Sequence, residues 1–283
     1  MKRYLCFMLA AVMLLMLAAC GAPAAPVIET APPAAADAAP AESGDAGEFT
    51  PNISCANTVE VSTVDEFLAA IASDTMIVLA AGNYDLSTAS DYGRAPDGAP
   101  YIWTGVYDSE TESLDTAFEL AISNVDKLAI VAAPDANVTI SAVPRYADVI
   151  QFSGCTGITL RGVTAGHTEE PGECSGGVLN FQRCNDILID ACRLYGCGIV
   201  GVSASDSSSL TVKDTEIYEC SNAAVTLWSV SGAVFDNCNI YNCGTPELVL
   251  ADSSTTYNGT ALKSLDYSLE NGVPVEYVYP GIH

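Results

Sequence analysis

The chain has 283 residues, with 35 acidic against 10 basic residues and a formal net charge of −25. That length suits one elongated domain with flanking segments, and the charge excludes a nucleic-acid partner, because phosphate binding runs through basic contacts. It also argues against a polyanionic polysaccharide unless a cation such as Ca²⁺ bridges the charges; no cofactor is specified by the sequence beyond that opening for Ca²⁺.

In chain order, Lys2 and Arg3 precede an apolar run from Leu5 to Ala19, which ends Leu17-Ala18-Ala19-Cys20-Gly21. A run this short, with small residues before its end, reads as a signal peptide over residues 1–20 rather than a membrane span. Leu-Ala-Ala-Cys-Gly resembles the lipobox of bacterial lipoproteins. That resemblance implies cleavage before Cys20, diacylation of its thiol by chains such as palmitate, and acylation of the new amino group. Two or three such chains anchor stably, at about 0.8 kcal/mol per buried CH₂. The expected location is therefore extracytoplasmic, lipid-anchored at the bacterial cell membrane or surface. Residues 21–50 are Ala/Pro-rich, contain several acids and have no Lys or Arg. Lacking apolar periodicity, they cannot offset the entropy of ordering and read as a disordered spacer.

Residues 51–75 read as an N-terminal cap. Ser62-Thr63-Val64-Asp65 has the look of a capping box opening a short helix, whose apolar face is Val64, Phe67, Leu68 and Ile71. Asp74 to Ser87, with Ile77, Leu79 and Tyr84, would form the first turn of a repeating body.

From there to residue 250 the chain repeats. Cys174, Cys197, Cys220 and Cys243 lie 23 residues apart, as do Tyr195, Tyr218 and Tyr241. Ile150, Leu179, Val202, Val225 and Leu248 form one apolar column, and Phe152, Phe181, Ala204, Leu227 and Leu250 a second. Ile158, Ile187, Leu210 and Ala233 form a third, and Leu160, Ile189, Val212 and Phe235 a fourth. Leu120, Ile122, Leu128 and Ile130 fit one more turn, 30 residues earlier. Apolar residues alternate within each turn, which places one set of side chains on one strand face. Strands of three to five residues cannot bury that face alone, but turns stacked about 4.8 Å apart can. The expectation is an all-β, single-stranded right-handed parallel β-helix over residues 76–250. Residues 251–283, where the period fades, are expected to cap the other end.

Nine cysteines remain besides Cys6 and Cys20. In-register stacking would bring Cys174–Cys197, Cys220–Cys243 and Cys155–Cys184 within disulfide range, whereas Cys192 and Cys238 are two turns apart. A ladder of buried reduced thiols is the equal alternative. With no Cys-x₂-Cys pair, a metal site is not expected.

The pattern from Val61 to Leu86, followed by units such as Cys184-Asn185-Asp186-Ile187-Leu188-Ile189-Asp190-Ala191-Cys192, resembles the pectin-lyase-like superfamily, and more narrowly the right-handed parallel β-helix repeat proteins of bacterial surfaces. The superfamily implies the fold but not one activity, since it includes lyases, hydrolases, esterases, epimerases and adhesins. Pectate lyases use an arginine base with Ca²⁺-binding aspartates, and their Arg-x-Pro-x-x-Arg signature is absent here. The polygalacturonase set is missing too, as Gly166-His167-Thr168 lacks the second glycine and the paired aspartates. No catalytic constellation is carried across, and whether the chain is an enzyme is left open.

Function on a solenoid usually resides in loops inserted on successive turns. Three are long: Ala89 to Ser113 with Tyr92, Arg94, Tyr101, Trp103 and Tyr107; Val143 to Asp148; and Gly166 to Glu173. Aromatic rings stack on pyranose faces and acids accept hydroxyl hydrogen bonds. Tyr101, Trp103, Tyr146, Asp148, Glu169 and Glu173 are therefore candidate substrate contacts. His167 or Glu170 could serve as general base, with Arg145 neutralising developing charge. The outward Tyr195/Tyr218/Tyr241 column is either a sugar-stacking stripe or self-stacking surface decoration. The expected function is a monomeric, membrane-tethered β-helix that contacts polysaccharide, as a glycan binder or an unassigned lyase or hydrolase. The alternative is a non-catalytic adhesin or envelope scaffold binding a protein.

Overall fold

The computed structural model describes residues 54–108, 111–167, 175–196 and 198–280. The expected signal peptide and spacer lie outside these residues, as do Cys20, Glu169, Glu170, Glu173, Cys174 and Cys197.

Each coil visits three parallel sheets in turn. The coil Asn185–Asp190, Arg193–Tyr195, Val200–Ser205 is succeeded by Ser208–Lys213, Glu216–Tyr218, Ala223–Trp228. Strands of the first kind build sheet A, from Asn57–Val61 onward, the second kind sheet B and the third sheet C. Parallel pairing comes from the connections: each strand returns to its sheet only after a full circuit.

The register is the one the apolar columns require. Ile150, Leu179, Val202, Val225 and Leu248 pair successively across sheet C, as do Phe152, Phe181, Ala204, Leu227 and Leu250. In sheet A, Leu128, Ile158, Ile187 and Leu210 align, and Ile130, Leu160, Ile189, Val212 and Phe235 beside them. All of these are buried. The Phe152 and Phe181 rings stack at 5.1 Å with 6° between their planes, an arrangement set by the coil repeat itself.

The corners use a device the apolar pattern does not reveal. At the end of each sheet C strand one residue adopts positive φ: Asn124, Gly154, Arg183, Asp206, Ser229 and Asp252. One left-handed residue turns the chain sharply into sheet A, a conformation that Gly and Asn adopt at little cost and most other residues do not. Further on, Asp190 is 3% exposed and lies 3.4 Å from both Arg161 and Lys213, its partners in the coils on either side. The nearly buried carboxylate is thus paired on both sides, as a charge withdrawn from water requires.

Both ends are closed. The helix Val64–Ala70 buries Val64, Phe67 and Leu68, and with Ile71 it covers the first coil. Its capping box is shifted one residue from the expected one. Thr63 is the N-cap and accepts from Glu66 N–H at 3.2 Å, while the Glu66 carboxylate accepts from Ser62 N–H at 2.8 Å. The cap also contains a strand, Asn57–Val61, which pairs with Thr75–Leu79 and extends sheet A. At the other end the coil runs past residue 250 through Thr255–Tyr257. Antiparallel strands Thr260–Leu262, Tyr267–Glu270 and Val273–Glu276 then close the stack.

Among the described residues the cysteines are not joined as disulfides. Cys155 and Cys184 share a side-chain hydrogen bond, as do Cys220 and Cys243, so both expected pairings that fall on described residues are in contact. Thr215 separates Cys192 from Cys238 and serves the backbone, its hydroxyl accepting from Cys192 N–H at 3.3 Å.

Candidate functional site

The insertion after Ala89 is not an irregular loop. Tyr101–Asp108 pairs antiparallel with Ser113–Ser123, making a hairpin that widens sheet C at its first coil. Alternation puts Tyr101 and Trp103 on the side of Leu120 and Ile122, their register partners, so both turn inward. They are 5% and 8% exposed. Asp91 fixes them, accepting from Tyr101 Oη at 2.6 Å and Trp103 Nε1 at 3.3 Å. Tyr92 packs edge-on against Trp103 at 5.0 Å and accepts from Phe118 N–H at 2.9 Å. Burial and the Asp91 carboxylate hold the Tyr101 hydroxyl well above its usual range. The expectation that Tyr101 and Trp103 meet substrate is thus displaced: their rings are spent packing the hairpin onto the solenoid.

The outward face of that hairpin meets the second insertion. Glu119 lies one residue before Leu120, which pairs with Ile150, so the chain entering that strand passes beside it. Its Oε2 accepts from Asp148 N–H at 3.0 Å. Asp148 in turn accepts from Gly177 N–H and from Asn180 Nδ2, both at 2.7 Å. Two carboxylates from successive coils therefore sit together, with different surroundings. Asp148 carries two donors suited to a charged form. Glu119 is half-buried, and burial followed by the charge of Asp148 raises it to about 7. Near neutral pH it can give or take a proton.

The loop before Asp148 touches the hairpin again. Tyr146 meets Tyr107 edge-on at 5.5 Å, and the two rings are 45% and 43% exposed. The loop is held from the other side as well, because Arg145 O accepts from Ser175 N–H at 2.7 Å and Gly176 N–H at 2.8 Å. Only glycine fits at 176, where a Cβ would stand 1.8 Å from Ala147 O.

His167 behaves differently from its expected role. It ends the strand Thr164–His167 on the inward side with Ala165 and is fully buried. Its Nε2 lies 3.4 Å from Gly177 O, and its own carbonyl accepts from Tyr195 Oη at 2.7 Å. A polymer on the surface cannot reach that imidazole, so burial overturns the reading of His167 as an accessible base. Of the expected constellation, Arg145 and His167 both border Ser175–Gly177, while Glu170 lies outside the described residues. The Tyr218 and Tyr241 rings stack at 5.1 Å and 5°, and Arg193 lies 5.4 Å over Tyr218; their faces are occupied by one another. No cluster of three or more His, Cys, Asp or Glu suited to a metal ion is present among the described residues.

Glu119 was absent from the sequence candidates, although a signal for it existed. The Leu120–Ile150 alignment places it next to Val149, one residue from Asp148.

These features define a class: a parallel β-helix whose third sheet is elaborated by a hairpin and by loops on successive coils. Residues 119–267, more than half of the chain, match the family model described as right handed beta helix region, and the protein belongs to that family. Among solved structures it is similar to a candidate glycosyl hydrolase from Parabacteroides merdae ATCC 43184, with 11% identity and a TM-score of 0.34, over 52% of this chain and 81% of that one. It is also similar to a pectate lyase from Paenibacillus sp. 0602, with 12% identity and a TM-score of 0.33, covering 65% of this chain but only 38% of the lyase. Likenesses this distant say nothing of activity. Comparison with curated proteins gave no match.

Proposed function

We propose that the protein is a surface-tethered lipoprotein whose β-helix contacts polysaccharide at the hairpin and loops beside sheet C. The observation that carries this reading is the exposed Tyr107–Tyr146 pair beside the Glu119–Asp148 carboxylates. Half-exposed rings offer apolar surface to pyranose faces, and carboxylates accept sugar hydroxyls. Glu119 and Asp148 also have the unequal environments that acid–base chemistry needs. The site therefore accommodates either a binder or a hydrolase, with Glu119 as the proton-carrying group of the second.

The test is glycan-array binding and reducing-sugar release by the full-length protein, repeated with Tyr146→Ala and Glu119→Gln. Binding that Tyr146→Ala weakens supports the reading, and sugar release lost in Glu119→Gln makes the protein a hydrolase. Silence across plant, host and bacterial glycans, with and without Ca²⁺, would overturn it.

A further inference from the structure

Sheet C ends in a second feature that the sequence does not announce. Where the C-terminal strands fold back over the last coil they leave a hollow of about 440 Å³, walled by Tyr277 and Tyr279 and by Asp252, Asp266 and Glu276, with Ala251 at its edge. That volume lies within the usual range for a small-ligand site. No Lys, Arg or His lines it. Tyr279 is 46% exposed yet held in place, because its hydroxyl donates to Asp266 at 2.5 Å and its ring meets Tyr277 edge-on at 4.9 Å. A ring fixed before binding loses little freedom on contact. The register partner of Ala251 is Trp228, which is 60% exposed. An indole on one side and a pinned phenol pair on the other thus flank the edge of the hollow.

The outward column leading to this hollow is built of amides and hydroxyls, with the Arg183 guanidinium on Ser153 and the Asp148 carboxylate on Asn180 beside it at its far end. Gln151, Asn180, Ser203 and Thr226 occupy equivalent, outward positions on successive strands of sheet C. Amides and hydroxyls at each step give and accept hydrogen bonds as sugar hydroxyls do. From the strand that begins at Ile150 to the one that begins at Leu248 is four coil steps, or about 19 Å at about 4.8 Å per step.

We infer that the C-terminal hollow is a sugar subsite for a neutral glycan, and that the same glycan chain runs along sheet C to the Tyr107–Tyr146 end. The inference rests on the polysaccharide reading and narrows it. The acidic lining repels uronate and sulfate groups while accepting hydroxyl donors, and the rings supply the stacking surface. A simple amine would suit the acids and rings, but would leave unused the row of amides and hydroxyls that leads to them. Two contacts on one chain also raise the effective concentration at the second.

The test is calorimetric titration of the full-length protein with cellohexaose, xylohexaose, mannohexaose and hexagalacturonate, alongside Trp228→Ala and Tyr279→Ala. Circular dichroism and melting temperature verify that each variant is folded. The expected result is binding of at least one neutral hexasaccharide, weakened about tenfold in each variant, as loss of a stacking ring predicts. Neutral binding abolished by Tyr146→Ala but untouched by Trp228→Ala and Tyr279→Ala would overturn the subsite and leave the proposed function standing. Binding of hexagalacturonate in preference to every neutral probe would overturn the neutral specificity alone. Binding of none of the four would overturn the neutral-glycan subsite, and the proposed function falls with it only where the plant, host and bacterial arrays are silent as well.

Discussion

The two ends of sheet C carry the same kinds of residue and use them in opposite ways. At the first coil, Tyr101 and Trp103 are turned inward and bonded to Asp91; towards the other end, Trp228, one coil before the last, and Tyr279, after the closing strands, are exposed. Aromatic and acidic residues close together therefore do not by themselves mark a sugar site. What separates the two cases is strand parity. Trp103 pairs with inward-facing Leu120, whereas Trp228 comes directly after inward-facing Leu227 and so emerges on the other face.

That contrast can be broken by substitution. The largest effect is expected in the column both ends share. Phe181→Ala removes a ring that is fully buried and stacked on Phe152 and should cost about 3–5 kcal/mol, read as a lower denaturant midpoint. Trp103→Ala should fall near the lower end of about 3–5 kcal/mol, because the hairpin loses the surface that seats it on the coil. Trp228→Ala, by contrast, should change stability by less than about 0.5 kcal/mol while weakening glycan binding. A Trp228→Ala variant as unstable as Trp103→Ala would erase the distinction.

A separate effect concerns pH and sharpens the role of Glu119. Its folded-state value of about 7 lies above the ordinary 4.5, so the folded protein holds this proton more tightly than the unfolded chain. The contribution to stability is full below about pH 4.5 and is lost as pH rises through about 7. Between about pH 5 and about pH 8 the wild type should lose stability that Glu119→Gln retains, measured by urea denaturation at each pH. Parallel curves for the two proteins would contradict the raising of Glu119 by burial and by the charge of Asp148.

The interior of this fold was legible in the sequence because stacking leaves each inward position one kind of environment. Leu179, Val202 and Val225 repeat at 23 residues for the same reason that Phe152 and Phe181 stack: each side chain packs on its equivalents above and below. The corners were not legible, since Arg183 and Ser229 adopt the same left-handed turn as Gly154 without a shared side-chain chemistry. The hairpin is hidden in the sequence because Ser113–Ser123 mixes two acids, a threonine and serines with its apolar residues, which obscures the alternation. The site was only partly legible. Tyr146 and Asp148 are candidates from the sequence, and the structure sets Tyr146 against Tyr107 and Asp148 against Glu119; Glu119 needed the coil register, and the burial of His167 is not betrayed by its neighbours in sequence.

The spacing of coils underlies every placement above, and spin-label distance measurement between Gln151→Cys and Val249→Cys, in a background where the native thiols are replaced, addresses it most directly. These positions are outward and four coils apart. In-register stacking predicts a narrow distribution near about 19 Å, at about 4.8 Å per coil. A distance near about 40 Å, as helical repeats about 10 Å apart would give, or a broad distribution without a peak, would contradict it.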